Sequence, residues 1–158
     1  MKSLSEALAD FRTAKKAHDK LVQNLPRIIG FESVKVVKEN FKLQGYDSGA
    51  GVNGWPKRKP KTDKSYDKRG KLKGSVYNSS NPLLMQTRNL YNSVNYFTRA
   101  KQVLIGVDLN LIPYAQKMNE QRQYMPQPSE SANAKIIARV LNKINFEQEK
   151  ILKPIQKW

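Results

Sequence analysis

The chain has no cysteine and a single histidine, His18, among its 158 residues. The first absence excludes disulfides and thiolate metal sites. The second leaves one imidazole, on an apolar helical stripe, with no Ser or Cys nucleophile context beside it. That placement favours a packed or half-exposed histidine over a reactive one. Acidic residues are scarce, 13 Asp and Glu against 29 Lys and Arg, and they are scattered, so no carboxylate ligand cluster forms. There is also no apolar run of about 18 residues and no apolar stretch near the first residue, which argues against a membrane span and a signal peptide. At 39% the hydrophobic fraction is low, so part of the chain is expected to be extended or loop-like. These shortages lead to the expectation of a non-enzymatic protein with no metal and no cofactor.

What the chain has in excess is positive charge, a formal +16. A field of that sign favours polyanions or acidic protein surfaces and carries no information about fold. It is densest in GWPKRKPKTDKSYDKRGKLK, residues 54–73, where Lys57, Arg58, Lys59, Lys61, Lys64, Lys68, Arg69, Lys71 and Lys73 face only Asp63 and Asp67. Pro56, Pro60 and Gly70 break any regular ladder there. Trp55, costly to leave in water, is expected to pack onto the body. Two near-motifs just upstream fail on context. Asp47–Gly54 has a calcium-loop look, but Arg58 stands where the twelfth-position glutamate belongs. Gly49–Gly54 matches GxGxxG without the strand–turn–helix that gives that motif its mechanism, and it reads as a turn.

The periodicity predicts a single domain over residues 1–158: an N-terminal helical region (1–45), a basic extended loop (46–81) and an α+β core with a C-terminal helix (82–158). Ser3-Leu4-Ser5-Glu6 has the form of a capping box. Leu4, Leu8, Phe11, His18, Leu21, Val22 and Leu25 then recur at helical spacing to about Asn24. Pro26 predicts a break and a second helix, buried through Ile28, Ile29, Phe31, Val34, Val37, Phe41 and Leu43, with Gly45 as its C-cap glycine. Leu83–Val94 reads as a short helix, Asn95–Ala100 and Lys101–Leu109 as two strands, and Ile112–Gln121 as a further short helix. Gln123–Pro128 is extended. A last helix, starting near Ser129 or Ser131, is expected to bury Ile136, Ile137, Val140, Leu141 and Ile144 and to stop by Pro154. This order of elements predicts α+β: a small antiparallel sheet with long N-terminal helices, a short central helix and a C-terminal helix.

Five short stretches then stand in a telling order. Gly54-Trp55-Pro56 precedes the basic run. Leu83-Leu84-Met85-Gln86-Thr87-Arg88-Asn89-Leu90-Tyr91-Asn92-Ser93-Val94 follows it. Val103–Val107, centred on Gly106, comes next, then Pro113-Tyr114-Ala115, then Met125–Pro128. Over residues 40–145 this series resembles the phage virion morphogenesis family, the Mu-type tail completion proteins, as a divergent member. It departs at Arg88, where the family has glycine, at Met118-Asn119-Glu120 and at Gln127-Pro128-Ser129-Glu130. The resemblance implies a motif core of Leu84, Thr87, Leu90, Ser93, Gly106, Pro113, Tyr114 and Ala115. It also implies a structural protein of the virion's head–tail junction, assembled in the host cytoplasm as a ring of copies, a hexamer or similar, around the DNA channel. Its neighbours would be other neck, connector or tail proteins, with non-specific DNA contact and no membrane. Trp55 and the nine cations after it would then be an assembly or DNA-facing loop. The competing expectation from the residues alone is a nucleic-acid-binding module with Lys57, Arg58, Lys59, Lys61, Arg69 and Lys71 on phosphates.

Overall fold

A computed structural model describes residues 3–56, 65–66, 72–73, 84, 88–99, 102–127, 133–153 and 155, with side chains except at 65–66 and 72–73. The architecture is α+β. Helix α1 (Leu4–Leu43) is followed by strands β1 (Gly45–Asp47), β2 (Val52–Gly54), β3 (Ser65–Tyr66) and β4 (Leu72–Lys73). Then come helix α2 (Asn89–Ser93), strands β5 (Asn95–Arg99) and β6 (Gln102–Gly106), and helices α3 (Ala115–Gln121) and α4 (Ala134–Leu152). Among the described residues the strands pair as three separate antiparallel hairpins, β1–β2, β3–β4 and β5–β6. The expected small antiparallel sheet is β5–β6, and β1–β2 and β3–β4 are added to it.

The capping box at the start of α1 forms: Ser3 Oγ accepts from the Glu6 amide at 3.3 Å, and Glu6 Oε2 accepts from the Ser3 amide at 2.6 Å. The break expected at Pro26 does not occur, and α1 runs unbroken for 40 residues, about 60 Å. Burial on both sides explains this. Leu21 before the proline and Glu32 after it are both buried, and Glu32 is bonded to Arg139 of α4. Tertiary packing thus overrides one missing helical hydrogen bond. The C-cap also differs: Gln44, not Gly45, adopts the left-handed conformation, at φ 52°. Gly45 serves a different purpose. It opens β1, where a Cβ would stand 2.6 Å from the Asn53 carbonyl oxygen across the hairpin.

Of the expected Leu83–Val94 helix, the described residues hold the single turn of α2. Leu84 and Arg88 both have positive φ, 60° and 56°, which no right-handed helix tolerates. The stretch expected to be loop from residue 46 instead begins with the β1–β2 hairpin, and its turn holds Gly49 and Gly51 at positive φ. Strand β6 ends at Gly106, three residues short of the expected Leu109. Asp108 turns the chain there by accepting from the amides of Asn110, Leu111 and Ile112. Pro113 and Tyr114 occupy that turn, so α3 starts at Ala115. Helix α4 is capped by Asn133, whose Oδ1 accepts from the Ile136 amide at 3.1 Å, while the expected start at Ser129 or Ser131 lies outside the described residues.

Helix α4 lies antiparallel against the C-terminal half of α1. Hairpin β5–β6 packs on α1 at Gly30, where any added methyl would overlap the Tyr96 ring. The core gathers Val37 and Phe41 from α1 with Trp55, Leu90, Val94, Ile112, Ala115 and Tyr124. Phe41 is its hub, edge-on to Trp55 and Tyr91, with ring centroids 5.8 Å away in each case, and tilted against Tyr124 at 4.9 Å. Four residues expected inside are not: Phe31, Leu43, Ile137 and Leu141 are all exposed.

Candidate functional site

Trp55 packs onto the body as expected, and it does so with three ties. Its ring meets Phe41, its amide donates to the Gln44 carbonyl at 2.7 Å, and its Nε1 donates to the Gln123 carbonyl at 2.8 Å. It therefore fixes the point from which the basic segment departs. Lys57, Arg58, Lys59, Lys61, Lys64, Lys68, Arg69 and Lys71 lie outside the described residues, as does Thr87. Lys73 falls on β4, which pairs antiparallel with β3, Ser65 opposite Lys73 and Tyr66 opposite Leu72.

Three of the remaining motif residues, Leu84, Leu90 and Ala115, meet at the core. Leu90 and Ala115 are buried within it and Leu84 packs against it. Ser93 Oγ donates to the Leu90 carbonyl at 2.8 Å, closing the α2 turn. Gly106 pairs with Asn95 at the end of the hairpin. Pro113 and Tyr114 stay on the surface, forming the turn that delivers Ala115. The Met-Asn-Glu departure has its own structural use. Asn119 Oδ1 accepts from the amides of Tyr124 and Met125, each at 2.9 Å, and holds the extended segment that receives the Trp55 indole. Tyr124 is fully buried, and its hydroxyl donates to the Ala115 carbonyl at 3.0 Å. Burial pushes that phenol up to about 12, with Tyr114 nearby adding to the effect.

One charged cluster was not foreseen. Lys135 and Arg139, four apart on α4, face Glu32 and Glu39, seven apart on α1, together with Asp47 at the end of β1. Lys135 Nζ lies 2.8 Å from Asp47 Oδ2 and 3.4 Å from Glu39 Oε2; Arg139 binds Glu32 Oε2 at 3.0 Å and also reaches Glu39 Oε1. Burial pushes the Glu32 and Glu39 carboxyls upward. The bonds from Lys35 and Arg139 to Glu32, and from Arg139 and Lys135 to Glu39, outweigh that effect and leave both below the ordinary range. Asp47 is held low by the Lys135 hydrogen bond and the Gly49 amide, and Lys135 is raised in return. The i,i+4 and i,i+7 spacings were visible in the sequence, but nothing in it said that these two helix faces would meet. Asn133 completes the junction, donating to the Tyr46 hydroxyl and to the Asp47 carbonyl at 3.0 Å each. This arrangement clamps α4 to α1; it has the chemistry of a structural lock.

Among the described residues, apolar surface stays open on α1, on β5–β6 and on the side of α4 that carries Leu141 and Leu152. His18 is exposed, as are the apolar residues on its stripe: Leu4 at 78%, Leu8 at 50%, Phe11 at 56% and Val22 at 49%. On the other side, Phe97 and Leu104 form a cross-strand pair on the outward face of β5–β6, both about half-exposed. No group of three His, Cys, Asp or Glu placed to hold a metal occurs among the described residues, and no helix among them is long and apolar enough to cross a membrane. No protein-family model, curated protein or solved structure matches this chain.

Proposed function

We propose that this protein is a non-enzymatic structural component of a bacteriophage virion, placed at the head–tail junction and assembled as a ring of copies around the DNA channel. Other neck, connector or tail proteins would be its neighbours, and assembly would take place in the host cytoplasm. The ordered series of motifs supports the reading, because Trp55, Leu84, Leu90 and Ala115 pack in or against the one core. The observation that carries it is the uncovered apolar surface of the body: a helix stripe and a hairpin face that no described part of the chain covers. Surfaces of that kind belong to proteins completed by neighbours. The basic segment after Trp55 then serves as an assembly loop whose charge lines the channel.

The test is the mass and shape of the purified protein and of the protein extracted from particles. Light scattering and negative-stain images are expected to give a closed ring, and particles lacking the protein are expected to be defective in joining heads to tails. A monomer absent from particles would overturn the reading. The nucleic-acid alternative makes a contrary forecast. DNA affinity would fall steeply with salt, at a log–log slope near −0.9 per phosphate contacted. Deleting residues 57–73 would abolish that affinity while leaving particle assembly intact.

A further inference from the structure

The first half of α1 carries Leu4, Leu8, Phe11, Lys15, His18 and Val22 in a 4-3-4-3-4 spacing, and all six are exposed. The same face continues through half-buried Leu25 and Ile29 to Val36 and Asn40, which are buried in the body. The stripe is therefore the core-facing side of α1, carried past the point where the described chain covers it. Helix α4 has a matching face pointing away from α1: Ala134, Ala138, Leu141, Asn145, Gln148 and Leu152. These too are spaced 4-3-4-3-4 and all exposed. In a chain of net charge +16 this second face contains no Lys or Arg. Both stripes are about 27 Å long, and their spacing is that of the a and d positions of a coiled-coil seam.

We propose that the N-terminal half of α1 packs in parallel on the outward face of α4 of a neighbouring copy. Laid in parallel from Leu4 over Ala134, the layers agree in chemistry one by one. Leucines 4 and 8 meet alanines 134 and 138, Phe11 meets Leu141, and Val22 meets Leu152. The two polar layers also coincide, Lys15 on Asn145 and His18 on Gln148. The reversed direction sets Leu8 on Gln148 and Phe11 on Asn145, burying polar groups against hydrocarbon. Pairing two α1 stripes in parallel sets Lys15 on Lys15. Charge at the flanks agrees as well. The side chains bordering the seam come out as Ala7 beside Asn142, Ala14 beside Glu149, Ile137 beside Arg12 and Ile144 beside Asp19, so no cation is set against another. Donor and acceptor are different surfaces, so the contact is heterologous and propagates from copy to copy. Its closure into a ring rests on the function proposed above.

The absence of native cysteine makes the register directly testable. Within one chain positions 8 and 138 cannot meet. Arg139 is bonded to Glu32, and Leu8 lies 32 − 8 = 24 residues earlier on α1, about 36 Å away. A disulfide needs Cα atoms within about 7 Å. The Leu8→Cys/Ala138→Cys double variant is therefore expected to give, on oxidation, a ladder of covalent multimers that collapses on reduction. The control for the reversed direction, Leu8→Cys/Gln148→Cys, is expected to give none. A ladder from the control alone, or from neither variant while the wild type is oligomeric, would overturn the proposal and leave the ring reading standing. Phe11→Glu and Leu141→Glu, both at exposed positions, are each expected to raise the apparent dissociation constant at least tenfold with the helical circular dichroism unchanged. Mixed one to one they should form a heterodimer, since each keeps one good surface. Unchanged oligomers in both variants would refute the pairing. A monomeric wild type would remove the pairing and the ring together, whereas a cross-linked oligomer absent from particles would remove only the virion assignment.

Discussion

Trp55 joins the end of α1, the segment after α3 and the start of the basic run through one side chain. Replacing it with Phe keeps most of the packing against Phe41 and removes the hydrogen bond from the indole to the Gln123 carbonyl. A loss of about 1 kcal/mol is expected in urea unfolding. Trp55→Ala should cost about 3–5 kcal/mol, because the core loses its largest ring. A Phe variant as damaged as the Ala variant would show that the hydrogen bond, not the ring, does the anchoring. The titrating residues set the pH limits. Glu32, Glu39 and Asp47 have depressed folded pKa values, so their contribution is present above the ordinary values of 4.5 and 3.8 and is lost as pH falls through the lower folded ones. Tyr124 is raised, so its contribution is complete below 10.0 and is lost as pH rises toward about 12. Urea midpoints should therefore be flat through neutrality and fall on both sides. Tyr124→Phe, though less stable at neutral pH, should flatten the alkaline limb between those two values. An alkaline limb unchanged in that variant would assign it to Lys135, whose raised pKa acts in the same direction.

At the scale of elements, α1 decides the shape of the molecule. Its passage through Pro26 leaves one helical hydrogen bond unmade, and an interior proline is about 3 kcal/mol less favourable in a helix than alanine. Pro26→Ala is accordingly expected to stabilise the protein by about 1–3 kcal/mol and to leave its fold unchanged. A destabilised variant would mean that the proline shapes a bend on which the α1–α4 packing depends. Helix α4 is held by specific pairs as well as by apolar contact. With Lys135, Arg139 and Asn133 all bonded to α1 or β1, its face toward α1 is set in register, and Ile137 and Leu141 are left pointing outward.

At the scale of the whole molecule, high net charge and uncovered apolar faces oppose each other. Copies at +16 repel, while the proposed seam between them is nearly uncharged. Added salt screens the repulsion within about 3 Å at 1 M and leaves apolar burial intact. Self-association is therefore expected to strengthen between low salt and ~0.5 M, as read by sedimentation or light scattering. DNA binding would weaken over the same range. Oligomers that dissociate with salt would indicate a contact built on charge, and would count against the helix seam.

The α+β class, the capping box at Ser3, the packing of Trp55 and the β5–β6 hairpin could all be read along the chain. Each depends on neighbours within a few residues, or on the cost of leaving one large apolar ring in water. Tertiary structure alone decided the rest. The continuity of α1 across Pro26 depends on packing that reaches it from α4, more than a hundred residues later. The left-handed turns at Leu84 and Arg88 fold the chain so that Leu90 and Val94 both enter one core. The exposed stripes of α1 and α4 were legible as apolar, but not as uncovered. Periodicity shows that a helix has an apolar face, whereas which distant element covers that face, and where the coverage ends, is settled only when the chain has closed on itself.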